Sequence, residues 1–196
     1  MNASIPRQPS RRFVLAAVGS AGGLSADIET ACVELGRRAI EVGFRVVTGG
    51  LGGVMEAVSR GAHSSSAWRE GDVLGVLPAY DRDAANPYVD IVVPTGMQIG
   101  RNVVVVAMSD VVVAIGGGAG TLSEIAIAWQ LGKPIISLAG SGGWSQRLAG
   151  ECIDARRRDT VHAAEDAEQA ITLALELASH RRPEPRDIAS GSKGNP

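Results

Sequence analysis

Three glycine-rich stretches carry most of the chemistry that this 196-residue sequence advertises. They are Gly19-Ser20-Ala21-Gly22-Gly23, Gly49-Gly50-Leu51-Gly52-Gly53 and Gly116-Gly117-Gly118-Ala119-Gly120-Thr121, and each closes a short apolar run. Glycine lets a backbone come close to a phosphate, and a helix that follows presents free N–H groups and the positive end of its dipole. One such loop would be an ordinary tight turn. Three of them behind strands point to an anionic ligand held beyond the strands' carboxyl ends.

Glu124 and Arg101 are the candidate reactive groups. Thr121-Leu122-Ser123-Glu124 has the T-x-x-E form of a capping box, in which Glu124 would reach back to the first amide of the helix. The alternative is a carboxylate facing the ligand from a helix start, where the dipole favours its ionised form. Such a group could stabilise a cationic centre or activate a water, and would be a poor general acid. Pattern alone leaves both readings open. Arg101, behind the flexible Gly96-Met97-Gln98-Ile99-Gly100, reads either as a solvated helix-start arginine or as a partner for a carboxylate. His63, His162 and His180 lack triad or ligand spacing and are expected at the surface or at helix ends. Trp68, Trp129 and Trp144 are expected in the core or at an interface.

What is missing narrows the ligand. The first loop does not spell G-x-G-x-x-G, and the second strand ends in Thr48-Gly49-Gly50 where a dinucleotide-binding protein would carry an acid. No G-x-x-x-x-G-K-[ST] is present. A mononucleotide or a similar phosphorylated heterocycle fits better. The two lysines, Lys133 at a helix end and Lys193 in the tail, offer no Schiff-base group for pyridoxal chemistry. Cys32 and Cys152 are far apart without paired spacing, so neither a disulfide framework nor a zinc site is suggested. Cys32 falls on an apolar stripe and is expected to be buried. No cofactor is required by this pattern, and no metal site is expected.

The elements that must position these groups follow a regular rhythm. Apolar runs at 13–18, 44–48, 73–77, 89–93, 111–115, 135–138 and 161–163 read as strands. Helices are expected from a Ser25 cap to Gly43, over 54–60 closed by Gly61, from Thr121 to Leu131, and over 166–180. A short helix or turn is expected over 144–150. Residues 101–108 are ambiguous, since their valines favour a strand while length and context allow a buried helix. Continuous apolar strands alternating with helices imply a doubly wound, parallel α/β sheet of the Rossmann-like kind, with about six or seven strands in a single domain. The domain should span 12–180, between a disordered basic leader (1–11) and a disordered Pro-, Gly- and Ser-rich tail (181–196).

Composition excludes more than it suggests. A formal charge of −2 gives no electrostatic reason to expect nucleic acid or an anionic membrane as partner. No apolar run approaches the ~18 residues of a membrane span. Ser10-Arg11-Arg12-Phe13 has the look of a twin-arginine export signal. Cleavage near Ala26, however, would remove the first strand and its glycine turn, so a cytoplasmic location is expected.

The segment Gly117-Gly118-Ala119-Gly120-Thr121-Leu122-Ser123-Glu124, with 49–62 and Arg101-Asn102 upstream, resembles the Lonely Guy family over roughly 13–178. The family motif is P-G-G-x-G-T-x-x-E with an arginine on the preceding helix, and Arg101 stands at that arginine's offset. The resemblance implies a helix over 101–108 and a catalytic pair of Arg101 and Glu124. Phosphate and nucleotide contacts would then come from Gly19, Ser20, Gly49, Gly50, Gly52, Gly53, Met55, Gly117, Gly118, Gly120 and Thr121. It also implies hydrolysis of the N-glycosidic bond of a nucleoside 5′-monophosphate, and a homodimer or larger homo-oligomer. Gly116 replaces the motif's proline, and Gly100-Arg101-Asn102 replaces the family's Glu-Arg-Lys. The segments Thr95-Gly96-Met97 to Arg101-Asn102 and Ala85-Asn86-Pro87-Tyr88-Val89-Asp90 resemble a sister branch that includes molybdenum-cofactor carrier proteins, which implies a bound nucleotide or molybdenum cofactor without turnover.

Overall fold

The computed structural model describes residues 11–155 and 157–180. The expected leader and tail fall almost wholly on 1–10 and 181–196, outside the described residues. Seven parallel strands form one sheet: β1 (Val14–Gly19), β2 (Arg45–Thr48), β3 (Val73–Leu77), β4 (Ile91–Pro94), β5 (Val111–Ile115), β6 (Ile135–Leu138) and β7 (His162–Ala164). Their order is β4-β3-β2-β1-β5-β6-β7, so the chain steps outward in one direction from β1, then crosses back and steps outward the other way from β5. Helices cover both faces: α1 (Ala26–Glu41), α2 (Val54–Ser64), α3 (Arg101–Met108), α4 (Ala119–Gln130), α5 (Gly143–Leu148) and α6 (Ala167–His180). The doubly wound Rossmann-like expectation is met.

The period-two geometry of β1 divides the core. Leu15 and Ala17 point to the side packed by Cys32, Leu35 and Ala39 of α1, Val58 of α2 and Ala174 of α6. Ala16 and Val18 point to the opposite side, against Val105 and Val106 of α3 and Ile125, Ala128 and Trp129 of α4. A strand buried on both faces has no polar alternation, which is why β1 and β5 read as unbroken apolar runs. Cys32 is fully buried as expected, and desolvation pushes its thiol up to about 12.

Several local expectations are corrected. Gly61 does not close α2 but lies inside it, because α1 and α2 cross at backbone contact. A Cβ on Gly61 would stand 2.0 Å from the Val33 carbonyl oxygen, and one on Gly36 would stand 2.0 Å from that of Val58. The strand expected to start at Val89 begins at Ile91: the Val89 N–H turns back to the Asn86 carbonyl (3.2 Å), and pairing opens with the Asp90 N–H on the Val73 carbonyl (2.9 Å). Asp90 accepts from the backbone N–H of Gly71 (3.2 Å) and Val73 (2.9 Å) and from Trp68 Nε1 (3.3 Å). His63 lies at a helix end as expected, in the last turn of α2, half-buried with its ring 4.3 Å from that of Trp68 and its Nε2 3.0 Å from Asp90 Oδ1. Residues 101–108 are helix, settling the ambiguity of their valines in favour of context over propensity.

Arg12, half of the twin-arginine pair, is built into the fold. Its Nε donates to the Gly43 carbonyl (2.9 Å), its Nη2 to that of Phe44 (2.7 Å), and it pairs with buried Asp72. Among the described residues no helix is long and apolar enough to cross a membrane.

Candidate functional site

Reversal of winding direction at β1 and β5 forces their outgoing loops apart, and the gap opens at the sheet's carboxyl edge. Gly19, Ser20, Gly49, Met55, Arg101, Gly118, Gly120, Thr121 and Glu124 line one cleft of about 250 Å³ there. Every loop named from the sequence contributes to it. Four of the expected residues do not reach the lining. Gly50 (φ +74°) is packed on Gly75 and Leu77, and Gly53 (φ +65°) on the backbone of Ser20, Ala21 and Gly22. Gly117 (φ +84°) is tucked under Thr121, and Gly52 lies to the side of the cleft, towards Ala21 and Glu56. These shape the loops without facing the cavity. Conversely Ala17, Val18, Ala21 and Asn102 line the cleft without having been singled out as ligand contacts. Nothing in an apolar strand marks which residue borders a cavity, whereas Asn102 could have been found as the polar neighbour of Arg101 on a helix otherwise apolar.

The third loop is held before any ligand arrives. Gly116 N–H donates to Ser141 Oγ (2.9 Å), and the carbonyls of Gly116 and Gly117 accept from Ser145 N (3.1 Å) and Trp144 N (3.0 Å) at the start of α5. Consecutive left-handed conformations at Gly116 (φ +57°) and Gly117 complete the turn early. Helix α4 therefore begins at Ala119, with Gly118 as N-cap and no side-chain cap. This overturns the expected start at Thr121 and, with it, the capping box. Thr121 lies in the first turn and Glu124 beyond it.

Glu124 and Arg101 instead form a buried pair, Arg101 Nη1 donating to Glu124 Oε1 at 3.1 Å, with exposures of 9% and 5% for Arg101 and Glu124. The solvated reading of Arg101 is thereby excluded. Gly49 makes room for the guanidinium, since a Cβ there would lie 2.3 Å from Nη2. Beside the pair, Asn102 Nδ2 donates to Ser123 Oγ (2.7 Å), a second link between α3 and α4. Burial pushes the Glu124 carboxyl up to about 7 against the opposing pull of Arg101. The dipole argument for a firmly ionised group fails because Glu124 sits past the first turn, where the helix end acts weakly and desolvation dominates. A carboxyl near 7 populates both protonation states at neutral pH, so it is not the poor general acid that its sequence position suggested.

Lys133 is at the far end of α4, its Nζ donating to the Ser109 carbonyl, and takes no part in the cleft.

Fold and site together define a doubly wound α/β protein with a switch-point cleft, a preformed glycine loop at a helix N-terminus and a buried Arg–Glu pair. The chain belongs to the SLOG cluster4 family, whose model matches residues 12–171. It is 33% identical over 147 residues to a probable cytokinin riboside 5′-monophosphate phosphoribohydrolase of Oryza sativa subsp. japonica, covering 70% of this chain and 58% of that protein. It thus spans under two thirds of that relative's length. Among solved structures, the molybdenum cofactor binding protein of Rippkaea orientalis superposes with a TM-score of 0.74 at 30% identity, covering 86% of this chain and 99% of that one. The molybdenum cofactor carrier protein of Chlamydomonas reinhardtii gives 0.72 at 26% identity, with the same coverage.

Proposed function

We propose that this protein binds a nucleoside 5′-monophosphate in the switch-point cleft and hydrolyses its N-glycosidic bond, releasing a free base and ribose 5-phosphate. The observation that carries the reading is the buried Arg101–Glu124 pair at 3.1 Å, in a cleft also lined by Gly118, Gly120 and Thr121 at the start of α4. Amide donors at that helix start hold the phosphate and so fix the sugar. Glu124, ionised, stabilises positive charge at C1′ as the base departs with the C1′–N bonding pair. It then accepts a proton from the attacking water and yields it to the base nitrogen, which leaves the free base, ribose 5-phosphate and the carboxylate restored. Arg101 orients that carboxylate. The rice relative's name supports this chemistry, and it needs no resident cofactor.

The solved carrier proteins favour a second reading, in which the same cleft holds a nucleotide or molybdenum cofactor through its phosphate and carries it unchanged. Their near-complete coverage is the specific ground for it. One experiment separates the two. Purified protein is incubated with AMP and with isopentenyladenosine monophosphate, ribose 5-phosphate release is followed, and bound small molecules are identified by mass spectrometry. Hydrolysis of either substrate is expected; no release from either, together with a copurified pterin, would establish the carrier.

Two further parts of the proposal are a homo-oligomeric state and a cytoplasmic location. Because β1 pairs on both sides, with β2 and β5, cleavage near Ala26 would remove the middle of the sheet. Intact mass of protein from its native cells should therefore include residues 13–23; a species starting near Leu24 would sink the cytoplasmic part.

A further inference from the structure

The cleft that holds Arg101 and Glu124 has a neighbour, and the two meet at Ala21. At about 250 Å³ the first is smaller than the roughly 300–1,000 Å³ of pockets that enclose whole small-molecule ligands. It suits a phosphate and a sugar better than a complete mononucleotide. The second cleft, about 300 Å³, is bordered by Gly22, Gly23, Gly53, Glu56 and Arg60. Its lip is uncrowded: a Cβ on Gly23 would meet nothing within 4 Å, and one on Gly22 only Ser20 Oγ at 3.6 Å. A flat group can therefore cross from one cleft to the other above this turn.

The polar groups on the far side are one guanidinium and several acceptors. Arg60 is taken up by Glu29 in an ion pair. Glu56, half-buried, adds its charge to the field on Arg60 but accepts no hydrogen bond among the described residues. Its Oε2 and the carbonyl oxygen of Ala21 lie 3.7 and 3.5 Å from a common point, the place where a side chain on Gly52 would begin. Both atoms are acceptors that border the second cleft, and because residue 52 is glycine no side chain there crowds either of them. A gap faced by a carboxylate and a carbonyl is matched by an N–H donor.

Resting on the reading that places phosphate at Gly118, we infer that the second cleft takes the heterocycle of the ligand, and that Glu56 with the Ala21 carbonyl reads an amino group on it. Glu56 is thus a specificity-determining residue for an amino-substituted heterocycle. A 6-aminopurine and a 2-amino-oxo ring, as in guanine or a pterin, share this chemistry.

Calorimetry with four nucleotides and ribose 5-phosphate tests it without requiring turnover. AMP against purine riboside 5′-monophosphate isolates the 6-amino group, and GMP against IMP isolates the 2-amino group. In one of these pairs the amino-bearing nucleotide should bind at least ~10-fold tighter, as for a hydrogen bond to a charged acceptor. Glu56→Ala should bring that ratio to within about twofold of unity, and Glu56→Gln, which keeps an acceptor but loses the charge, should fall between. Affinity for ribose 5-phosphate should not move in either variant, which also certifies that they fold. Which pair responds tells a 6-amino ligand from a 2-amino one. If ribose 5-phosphate binds but wild type shows no amino preference, or the preference survives Glu56→Ala, the inference is overturned and the phosphate site stands. If neither ribose 5-phosphate nor any nucleotide binds wild type, the phosphate site falls and takes the inference with it.

Discussion

Glu124→Gln should lower kcat for ribose 5-phosphate release at least ~100-fold, equivalent to about 2.7 kcal/mol of transition-state stabilisation. Glutamine preserves the shape and an oxygen for Arg101 Nη1, so the buried contact survives while the negative charge facing C1′ is lost. Affinity for the monophosphate should change much less, because the proposed binding mode draws its phosphate contacts from the loop and the start of α4. The pH profile supplies an independent sign. Desolvation raises the Glu124 carboxyl to about 7, so its ionised form is depleted below that pH and accumulates above it. The wild-type kcat/KM, which reports the free enzyme, should climb about tenfold per unit as pH rises towards 7 and then level off. The residual rate of Glu124→Gln should lack that limb. A variant that turns over as fast as wild type would show that the family's catalytic pair does not transfer to this chain.

Gly118→Val should abolish nucleotide binding while the protein stays folded, with affinity falling ~100-fold or more as a branched side chain blocks close approach to the helix start. The structure gives this change unusual selectivity. Gly118 has a negative φ of −102°, and a Cβ there would meet nothing within 4 Å. The helix has no side-chain cap to lose, so the stability cost should stay near 1 kcal/mol, or roughly 2–4 °C in Tm. Gly117 is the contrast. It is left-handed, and a Cβ would come 2.1 Å from Thr121 Oγ1, so Gly117→Val should damage the fold itself. Unchanged calorimetric affinity in a folded Gly118→Val protein would remove the loop from the binding site.

These two glycines show how far sequence reasoning reaches. Adjacent and identical in type, they both matched the motif, and only their surroundings divide them into one that makes the turn and one that leaves space. The same holds for Gly19, where a Cβ would strike the Ile115 carbonyl oxygen at 2.6 Å and Val54 Cγ2 at 2.7 Å, so the strand's last residue must be small even before any ligand is considered. Sequence periodicity cannot separate these causes, because each lies in the packing around the residue: Thr121 folded back over Gly117, and Ile115 and Val54 brought from elsewhere against Gly19.

By itself the sequence determined the architecture and the location of the cleft. Apolar runs too continuous for a one-sided sheet required helices on both faces, and glycine loops behind such strands can meet only at the carboxyl edge. Local patterns of this kind are read within one element, where period and turn chemistry suffice. The tertiary structure decided the character of Glu124. Its helix starts earlier than the T-x-x-E pattern suggests, its partner Arg101 comes from another helix, and Gly49 from a third element makes room for that partner. A carboxyl's protonation depends on the summed burial and charge of everything packed around it. That sum exists only once the chain has closed, and here it turns an apparent helix cap into a buried group poised near neutrality.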